Sequence, residues 1–211
     1  MNIGIIGSGN IGANAAKLFA KAGHKVAISN SKGPASLAGL VSEIGPNAKA
    51  TTTEEAVKFG DAILVALPWT KRNSLPPAQM FENKIVMDAT NPYVVDKNGN
   101  FGLDDLGNST SSEEILKLMP GARLVKAFNT MYFETLRTGS STNPEQRLVL
   151  FIAGDDSEAK EIVARLIEDI GFAAVDTGFL HDGGRLQQPG SPIYNVPMTV
   201  EQAKQKLTDI S

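Results

Sequence analysis

Three glycines near the start of the chain have the spacing of a phosphate-binding turn. They lie in the segment GIIGSGNIG, residues 4–12, between an apolar run typical of a buried strand and a segment with helical periodicity. In this context Gly7 allows a tight turn, Gly9 lets the backbone approach a pyrophosphate, and Gly12 permits close packing of helix on strand. The N–H groups at the start of the helix then face a phosphate. The residues predicted to form this site are Gly7, Ser8, Gly9, Asn10, Ile11 and Gly12.

A second polar segment indicates which dinucleotide the turn accepts. Sites that prefer NAD carry an Asp or Glu about 20 residues beyond the glycines, where its carboxylate binds the ribose hydroxyls. The second predicted strand ends instead in Ser29, Asn30, Ser31 and Lys32. Hydroxyl, amide and ammonium groups attract a 2′-phosphate that a carboxylate would repel, so we predict NADP(H), bound by Asn30, Ser31 and Lys32. A solvated turn is the alternative, because Asn, Ser, Gly and Pro are common turn residues.

Two further strand ends are predicted to border the nicotinamide half of the cofactor. The segments ALPW (66–69) and DATNP (88–92) follow apolar runs and fall at the carboxyl edge of the predicted sheet. The residues assigned to this part of the site are Leu67, Pro68, Trp69, Ala89, Thr90 and Asn91. A core or interface aromatic is the alternative for Trp69, and Asp88 is expected to cap local backbone groups.

Few side chains are available for acid–base chemistry. The chain has two histidines, of which His24 is expected to be structural, whereas His181 lies in a C-terminal loop from which it could reach the site. Arg185 and Lys126 are candidates for binding an anionic tail, although ordinary surface charge is the favoured interpretation of Lys126. Hydride transfer between stacked rings needs proximity and exclusion of water more than a side-chain acid.

The elements that must position these residues alternate between strand and helix. Alternating βαβ units predict an α/β fold: a Rossmann-type doubly wound, mostly parallel sheet of about eight strands with a short C-terminal helix. The loop 93–112 and the tail from residue 179 to the last helix are predicted to be irregular. The predicted strands are 2–7, 24–29, 48–52, 61–68, 84–92, 123–131, 147–155 and 172–178, and the predicted helices are 10–22, 36–45, 53–60, 111–121, 157–171 and 199–210.

Length and composition exclude several classes of function. The 211 residues suffice for one domain, and the net charge of −3 does not favour a nucleic acid as partner. Without cysteine and with two histidines, disulfides, thiolate chemistry and a multi-histidine metal site are excluded or disfavoured, so no metal is predicted. No apolar run approaches the roughly 20 residues of a membrane span. We expect a soluble, cytoplasmic protein.

The order of the motifs resembles one family. GIIGSGNIG, SNSKGP, DAILVALPW, KIVMDATNP, LVKAFNT, LFIAGDD and FAAVDTG follow one another between residues 4 and 178. Together they resemble the coenzyme F420-dependent NADP oxidoreductases, and they are also similar to the cytosolic NADPH-binding domain of the six-transmembrane metalloreductases. The resemblance spans nearly the whole chain.

The resemblance implies direct hydride transfer between the nicotinamide and a deazaflavin. It implies that Ser31 and Lys32 contact the 2′-phosphate, and that residues 178–186 close the acceptor pocket. It also places the AFNT segment, Ala127 to Thr130, under the stacked rings, with Ala127 on the cofactor side and Asn129, Thr130 and His181 as catalytic candidates. Asn129 stands where the deazaflavin enzymes tend to carry His, which leaves the acceptor open between coenzyme F420 and a flavin.

Two other functions remain open from the sequence. The chain would otherwise be an NADPH-dependent reductase of a small carbonyl or imine substrate, or a non-catalytic NADP sensor. Residues 1–211 are predicted to form a single NADP-binding domain. In it, residues 1–135 are the dinucleotide-binding core and residues 145–211 an extension that completes the sheet and the acceptor pocket. A homodimer is expected through the apolar stripe of the helix 199–210, which would equally suit packing on its own domain.

Overall fold

The computed structural model describes residues 1–210 of the chain, so Ser211, the last residue of the predicted domain and extension, lies outside the described residues. The strands of residues 1–210 are β1 (Asn2–Ile6), β2 (Lys25–Ser29), β3 (Ala48–Ala50), β4 (Ala62–Val65), β5 (Ile85–Asp88), β6 (Tyr93–Val95), β7 (Phe101–Leu103), β8 (Arg123–Lys126), β9 (Val149–Ile152) and β10 (Ala173–Asp176). The α-helices are α1 (Asn10–Lys21), α2 (Ala38–Ile44), α3 (Thr53–Phe59), α4 (Ser111–Leu118), α5 (Phe133–Thr138), α6 (Ser157–Asp169), α7 (Asp182–Leu186) and α8 (Val200–Asp209).

Six strands form one parallel sheet in the order β3-β2-β1-β4-β5-β8. The order reverses at β1, which pairs with β2 on one side and β4 on the other. In a doubly wound sheet, ligands bind outside the carboxyl ends of the strands at this reversal. The predicted Rossmann-type α/β fold is therefore confirmed, and the glycine turn after β1 lies at its expected ligand site.

Both faces of this sheet are buried, as its near-continuous apolar strands require. Side chains alternate between faces along a strand, so Ile3 and Ile5 of β1 pack with α1 whereas Ile6 packs on the opposite face. The side chains of β4 alternate in the same way, so that Leu64 lies on the same face as Ile3 and Ile63 lies on the opposite face. This double burial fixes the sheet and therefore the position of its carboxyl edge.

The last two predicted strands form a separate parallel pair, β9 and β10, and do not extend the main sheet by a regular ladder. A single antiparallel bridge between Lys126 and Ala153 joins the pair to β8. Strands β9 and β10 of the extension 145–211 therefore join the main sheet through this bridge and not through a regular ladder. The apolar runs identified the strands but carry no information about which edge each strand joins.

Three regions thought irregular or left unassigned are ordered elements. The polar loop 93–112 contains the antiparallel hairpin β6–β7, in which Tyr93 pairs with Leu103 and Val95 with Phe101. The C-terminal tail contains the short helix α7, and α5 follows the AFNT segment. These elements were missed because each has too few residues to establish a helical or strand period.

The apolar stripe of α8 packs against its own domain. Ala203 is fully buried, and Val200 and Ile210 pack with it against residues of β9, β10 and the preceding tail. This packing corresponds to the alternative of packing on its own domain, and the homodimer stays a prediction. Within residues 1–210, no helix has both the length and the hydropathy that a bilayer crossing requires.

Candidate functional site

A cavity of about 1150 Å³ lies along the carboxyl edge of the sheet. It begins at the glycine turn, passes the ends of β4 and β5 and reaches the β6–β7 hairpin. Fifteen of the sequence-predicted site residues line it: Gly7, Ser8, Gly9, Asn10, Ile11, Asn30, Ser31, Lys32, Leu67, Pro68, Trp69, Ala89, Thr90, Asn91 and Asn129. Segments far apart in sequence thus meet in one place because each follows a strand of the same sheet.

The glycine turn is shaped by two close backbone contacts and one open position. Gly7 has a φ of +110°, and a Cβ there would lie 2.3 Å from the Ala66 carbonyl oxygen. A Cβ at Gly12 would lie 2.0 Å from the Gly7 carbonyl oxygen, so this glycine packs the helix onto the turn and does not line the cavity. A Cβ at Gly9 would meet nothing within 4 Å.

Helix α1 presents an uncapped N-terminus to the cavity. Its N-cap residue is Gly9, no side chain accepts from its first N–H groups, and its first turn holds no acidic residue. Helices α3 and α4, in contrast, begin with Thr capping boxes. Unsatisfied N–H groups and the positive end of the helix dipole favour an anion at this point.

The loop after β2 is held in place by the amide of Asn30. Its Oδ1 accepts from the Lys32 backbone N–H at 2.9 Å, and its Nδ2 donates to the Ser8 hydroxyl at 3.0 Å. This bond ties the loop to the glycine turn. The side chains of Ser31 and Lys32 are exposed at the end of the cavity.

A buried charge cluster supports the floor of the cavity. Lys126 has no exposed surface, and its Nζ donates to the Thr90 carbonyl (3.3 Å) and to the hydroxyls of Ser111 (2.8 Å) and Ser112 (3.2 Å). Asp88 accepts from the Thr90 N–H at 3.0 Å and from the Ser112 hydroxyl at 2.5 Å. Burial lowers the pKa of Lys126, and the charge of Asp88 opposes that shift. The interpretation of Lys126 as surface charge was wrong.

Two side-chain amides connect the floor to the C-terminal tail. Asn129 Nδ2 donates to Asn91 Oδ1 at 3.1 Å and to the Gln187 carbonyl at 2.7 Å. Asn91 Nδ2 donates in return to the Asn129 carbonyl at 3.0 Å. Two buried oxygens beside these bonds, Thr90 Oγ1 and Asn129 Oδ1, have no hydrogen-bond partner among the described residues.

Aromatic side chains that the sequence analysis did not assign form the far end of the cavity. The ring of Tyr93 stacks on Phe101 across the β6–β7 hairpin, with centroids 4.8 Å apart and planes 28° apart. Tyr132 and Tyr194 line the same end. The signal was present in the sequence, since four aromatic residues in polar segments are unusual, but nothing local to these segments shows that they meet.

The residue before Asn129 has a strained backbone. Phe128 is fully buried, lines the cavity and has a φ of +66°, in the left-handed region that a bulky residue rarely adopts. Such strain costs of order 1–3 kcal/mol and clusters at ligand sites. Its effect here is to turn the chain after β8 so that Asn129 faces the Asn91 amide.

Three predicted site residues besides Gly12 lie outside the cavity lining. The backbone N–H of Ala127 donates to the Asp88 carbonyl, and the carbonyl of the buried Thr130 accepts from Asn195. His181 precedes α7, where its Nδ1 lies 3.0 Å from Glu113 Oε1 of the α4 capping box. Ala127, Thr130 and His181 thus do not border the cavity, and their assignments stay predictions.

Two other expectations for this region also failed. Residues 178–186 do not line the cavity, and Arg185 donates to the Asn108 carbonyl instead of facing an anion site. Trp69 borders the cavity, but its ring is only 2% exposed, its Nε1 donates to Asp104 at 2.8 Å, and the Arg72 guanidinium lies 4.1 Å from the ring centroid. The ring is thus packed as a core aromatic. His24 lies buried elsewhere, 3.1 Å from the N-terminal amine.

Comparison with known proteins agrees with this geometry. Residues 2–92 match the model of a family described as NADP oxidoreductase, coenzyme F420-dependent. The match covers less than half of this chain. Metalloreductase STEAP3 of Rattus norvegicus is 30% identical over 179 residues, and the mitochondrial 3-hydroxyisobutyrate dehydrogenase of Drosophila melanogaster is 26% identical over 170 residues. By their descriptions, one relative is a metalloreductase and the other is a dehydrogenase.

The aligned regions cover most of this chain but only part of each relative. They include 84% of the chain and 34% of the metalloreductase, and 81% of the chain and 47% of the dehydrogenase. The chain therefore spans about a third and about half of these relatives.

Solved structures with the same fold include two of similar length. A hypothetical protein, SMa0349 from Sinorhizobium meliloti, is 34% identical with a TM-score of 0.81, and the match covers 94% of this chain and 95% of that one. A protein provisionally described as an F420-dependent NADP reductase from Arthrobacter sp. FB24 is 22% identical with a TM-score of 0.77, covering 94% and 99%. The second match, at this identity, supports the fold alone.

Proposed function

We propose that this chain belongs to the coenzyme F420-dependent NADP oxidoreductases, and that it transfers a hydride between NADP(H) and a planar acceptor of the deazaflavin (coenzyme F420) or flavin type. The observation that carries the proposal is the continuity of the cavity. One space joins the glycine turn and the Lys32 loop to an aromatic end at Tyr93 and Tyr194. Direct hydride transfer needs two ligands side by side with water excluded, and a single elongated cavity supplies that arrangement.

The proposed nucleotide contacts follow from the groups at the first end. The uncapped α1 N-terminus receives the pyrophosphate, and the open position at Gly9 leaves room for its close approach. Ser31 and Lys32 bind the 2′-phosphate, with Asn30 holding their loop against Ser8. The absence of an acidic side chain at the end of β2 favours NADP over NAD.

The orphaned oxygens at the cavity floor fit the nicotinamide end of the same cofactor. Thr90 Oγ1 and Asn129 Oδ1 are acceptors without partners, and a carboxamide N–H₂ is a two-donor group. When bound, the nicotinamide supplies the hydride chemistry. The residues of the floor then act by position: Lys126 and Asp88 fix the Thr90 backbone, and Asn129 and Asn91 fix each other.

Two other functions are outcomes of the same test. A small carbonyl or imine substrate is supported by fold likeness alone, since a reductive aminase from Aspergillus terreus is 19% identical with a TM-score of 0.60. A non-catalytic NADP sensor would bind the nucleotide without turnover. A homodimer and a cytoplasmic location also stay predictions, and sedimentation at micromolar concentration tests the first.

The test is a titration followed by a turnover assay. NADPH and NADH are titrated against the protein, and coenzyme F420, FMN and FAD are then added in turn while the nicotinamide absorbance is followed. We expect tighter binding of NADPH than of NADH, and oxidation of NADPH by at least one ring acceptor. Binding of NADPH without oxidation by any of the three would overturn the proposed acceptor class and direct the search to carbonyl substrates or a sensing role.

A further inference from the structure

Two tyrosine hydroxyls meet at the aromatic end of the cavity. The Oη atoms of Tyr93 and Tyr194 are 3.1 Å apart, and Asn91 Nδ2 donates to Tyr194 Oη at 3.2 Å. Both tyrosines line the cavity and both are partly exposed. One comes from the β6–β7 hairpin and the other from the C-terminal tail, so the two segments close around the same point.

One of the two hydroxyl protons of this pair has no acceptor in the part of the protein that the structure describes. Each hydroxyl carries one proton and can accept two hydrogen bonds. The two hydroxyls share one bond, which uses one of their two protons whichever tyrosine donates. The Asn91 amide supplies a further proton and accepts none from Tyr194. Among residues 1–210, no protein group accepts the second hydroxyl proton, and the cavity is the space that both hydroxyls border.

The surroundings of the pair suit a flat ring. Phe101 is 70% exposed beside the Tyr93 ring, and Tyr132 is 50% exposed. Among residues 1–210, the cavity lining includes no acidic side chain, and its charged residues are Lys32 and Lys71. Aromatic walls favour stacking, and a single polar group in such a wall fixes orientation.

We propose that the Tyr93–Tyr194 pair is the hydrogen-bond donor that orients the acceptor, and that the acceptor is a planar ring compound with a carbonyl oxygen or ring nitrogen on its edge. This inference rests on the proposed function and names the feature of the acceptor that the site reads. Burial and the bond from Tyr93 raise the pKa of Tyr194. The hydroxyl therefore keeps its proton, and the pair positions the acceptor without acting as its acid.

The pair has a built-in redundancy that a structural role would not produce. Tyr93→Phe leaves the Tyr194 proton free, and Tyr194→Phe leaves the Tyr93 proton free. Each single variant therefore retains one hydroxyl donor at the cavity, whereas the double variant retains no hydroxyl donor. We expect the loss of acceptor binding to appear mainly in the double variant.

The experiment measures riboflavin binding to the protein loaded with NADP⁺, by quenching of riboflavin fluorescence. Riboflavin is the probe because its ring carries two edge carbonyls. Tyr132→Phe is the matched control, since this tyrosine lines the same end and its hydroxyl makes no hydrogen bond in the described part of the chain. We expect the riboflavin Kd to rise roughly tenfold in the double variant and less than threefold in each single variant and in the control.

The NADP⁺ dissociation constant, measured in parallel, is expected to be unchanged in all four variants. A double variant within threefold of the wild type, or a control that loses as much, would overturn the inference. The inference would also be overturned if the wild-type protein loaded with NADP⁺ did not bind riboflavin. In that case the proposed function would still be tested separately, by measuring NADPH oxidation with other acceptors. If the wild type fails to bind NADPH, the proposed function itself falls. Riboflavin binding that depends on the tyrosine pair, without oxidation of NADPH, would support this inference and contradict the proposed hydride transfer.

Discussion

At the scale of single residues, a lysine that solvent does not reach holds the floor of the cavity. Lys126 and Asp88 each bond to Thr90, one at its carbonyl and the other at its N–H. The two charged groups are joined through the Ser112 hydroxyl, which accepts from Lys126 and donates to Asp88. A buried charge of this kind is tolerated because every proton of the ammonium has an acceptor.

Removal of this lysine is expected to destabilise the protein. In Lys126→Met, Asp88 stays buried without its opposite charge, so the free energy of unfolding falls by about 3–5 kcal/mol. Urea denaturation measures the change, with the exposed Lys117→Met as control. The double variant Asp88→Asn/Lys126→Met should recover part of the loss, because no uncompensated charge remains. A Lys126→Met protein as stable as the control would contradict this account of the floor.

A second lysine is expected to affect binding and not folding. In Lys32→Ala the NADPH Kd should rise about fivefold, which corresponds to one partly solvated charge-assisted hydrogen bond. The NADH Kd should change less than twofold, since NADH has no 2′-phosphate. Lys25→Ala, at the opposite end of β2, is the control. Equal losses for both nucleotides would show that Lys32 does not read the 2′-phosphate.

These two lysines also show what sequence can predict at this scale. Lys32 could be predicted as a site residue because the residues that form its loop are its neighbours in the sequence. Lys126 could not, because its partners Ser111 and Ser112 lie 14–15 residues away and meet it only after the sheet and α4 have packed. The Tyr93–Tyr194 pair spans 101 residues and was missed for the same reason.

At the scale of elements, the eight predicted strands are present, but their carboxyl ends were predicted too late in the sequence. The predicted strands 61–68, 84–92 and 123–131 end in the structure at Val65, Asp88 and Lys126. The extra residues are the segments that leave the sheet and form the cavity. Their apolar character continues past the strand because the cavity wall is itself partly apolar, so periodicity alone does not show where pairing stops.

Two glycines in the turn before α1 have different roles: Gly7 is needed for folding, and Gly9 is proposed to be needed for binding. Gly7→Ala would place a Cβ 2.3 Å from the Ala66 carbonyl at a φ of +110°, so it should destabilise the fold by more than about 1 kcal/mol. Gly9→Ala meets nothing within 4 Å at a φ of −70°, so stability should change by less than about 0.5 kcal/mol.

Gly9→Ala, which is expected to fold stably, should nevertheless bind NADPH more weakly. The added methyl group of Gly9→Ala occupies the space proposed for the pyrophosphate, and the NADPH Kd should rise roughly tenfold or more. Thermal unfolding and a fluorescence titration measure the two effects on the same samples. Unchanged NADPH affinity in Gly9→Ala would place the pyrophosphate elsewhere.

The N-cap of α6 gives an expected pH dependence. Hydrogen bonds from Arg123, together with the Ala159 N–H, lower the pKa of Asp156 from 3.8 to about 2. A carboxyl whose pKa is lowered on folding stabilises the protein above its unfolded pKa, and this contribution is lost as the pH falls through its folded pKa. Asp156→Asn keeps a capping oxygen but loses the charge.

The variant should therefore have a lower urea midpoint than the wild type at pH 7. The difference should shrink between about pH 4 and pH 2 and vanish below, where the wild-type carboxyl is protonated too. Glu161→Gln, an exposed position of the same helix, controls for a general loss of charge. A difference that is constant across this range would assign the effect to the cap and not to the ion pair.

At the scale of the whole molecule, the cavity is a product of topology. The glycine turn, the Asn30 loop, the 66–69 and 88–91 segments and Asn129 all follow parallel strands, so one edge of the sheet gathers them. This much was predictable from the order of strands and helices. The aromatic end was not, because the hairpin and the C-terminal tail reach it from outside the regular βαβ units.

The central claim is that the nucleotide and the acceptor occupy this cavity together. Initial rates measured over a grid of NADPH and acceptor concentrations test it most directly. The account predicts double-reciprocal lines that intersect, as required when both ligands are bound at once. Parallel lines, or an acceptor that competes with NADPH for the free protein, would contradict it.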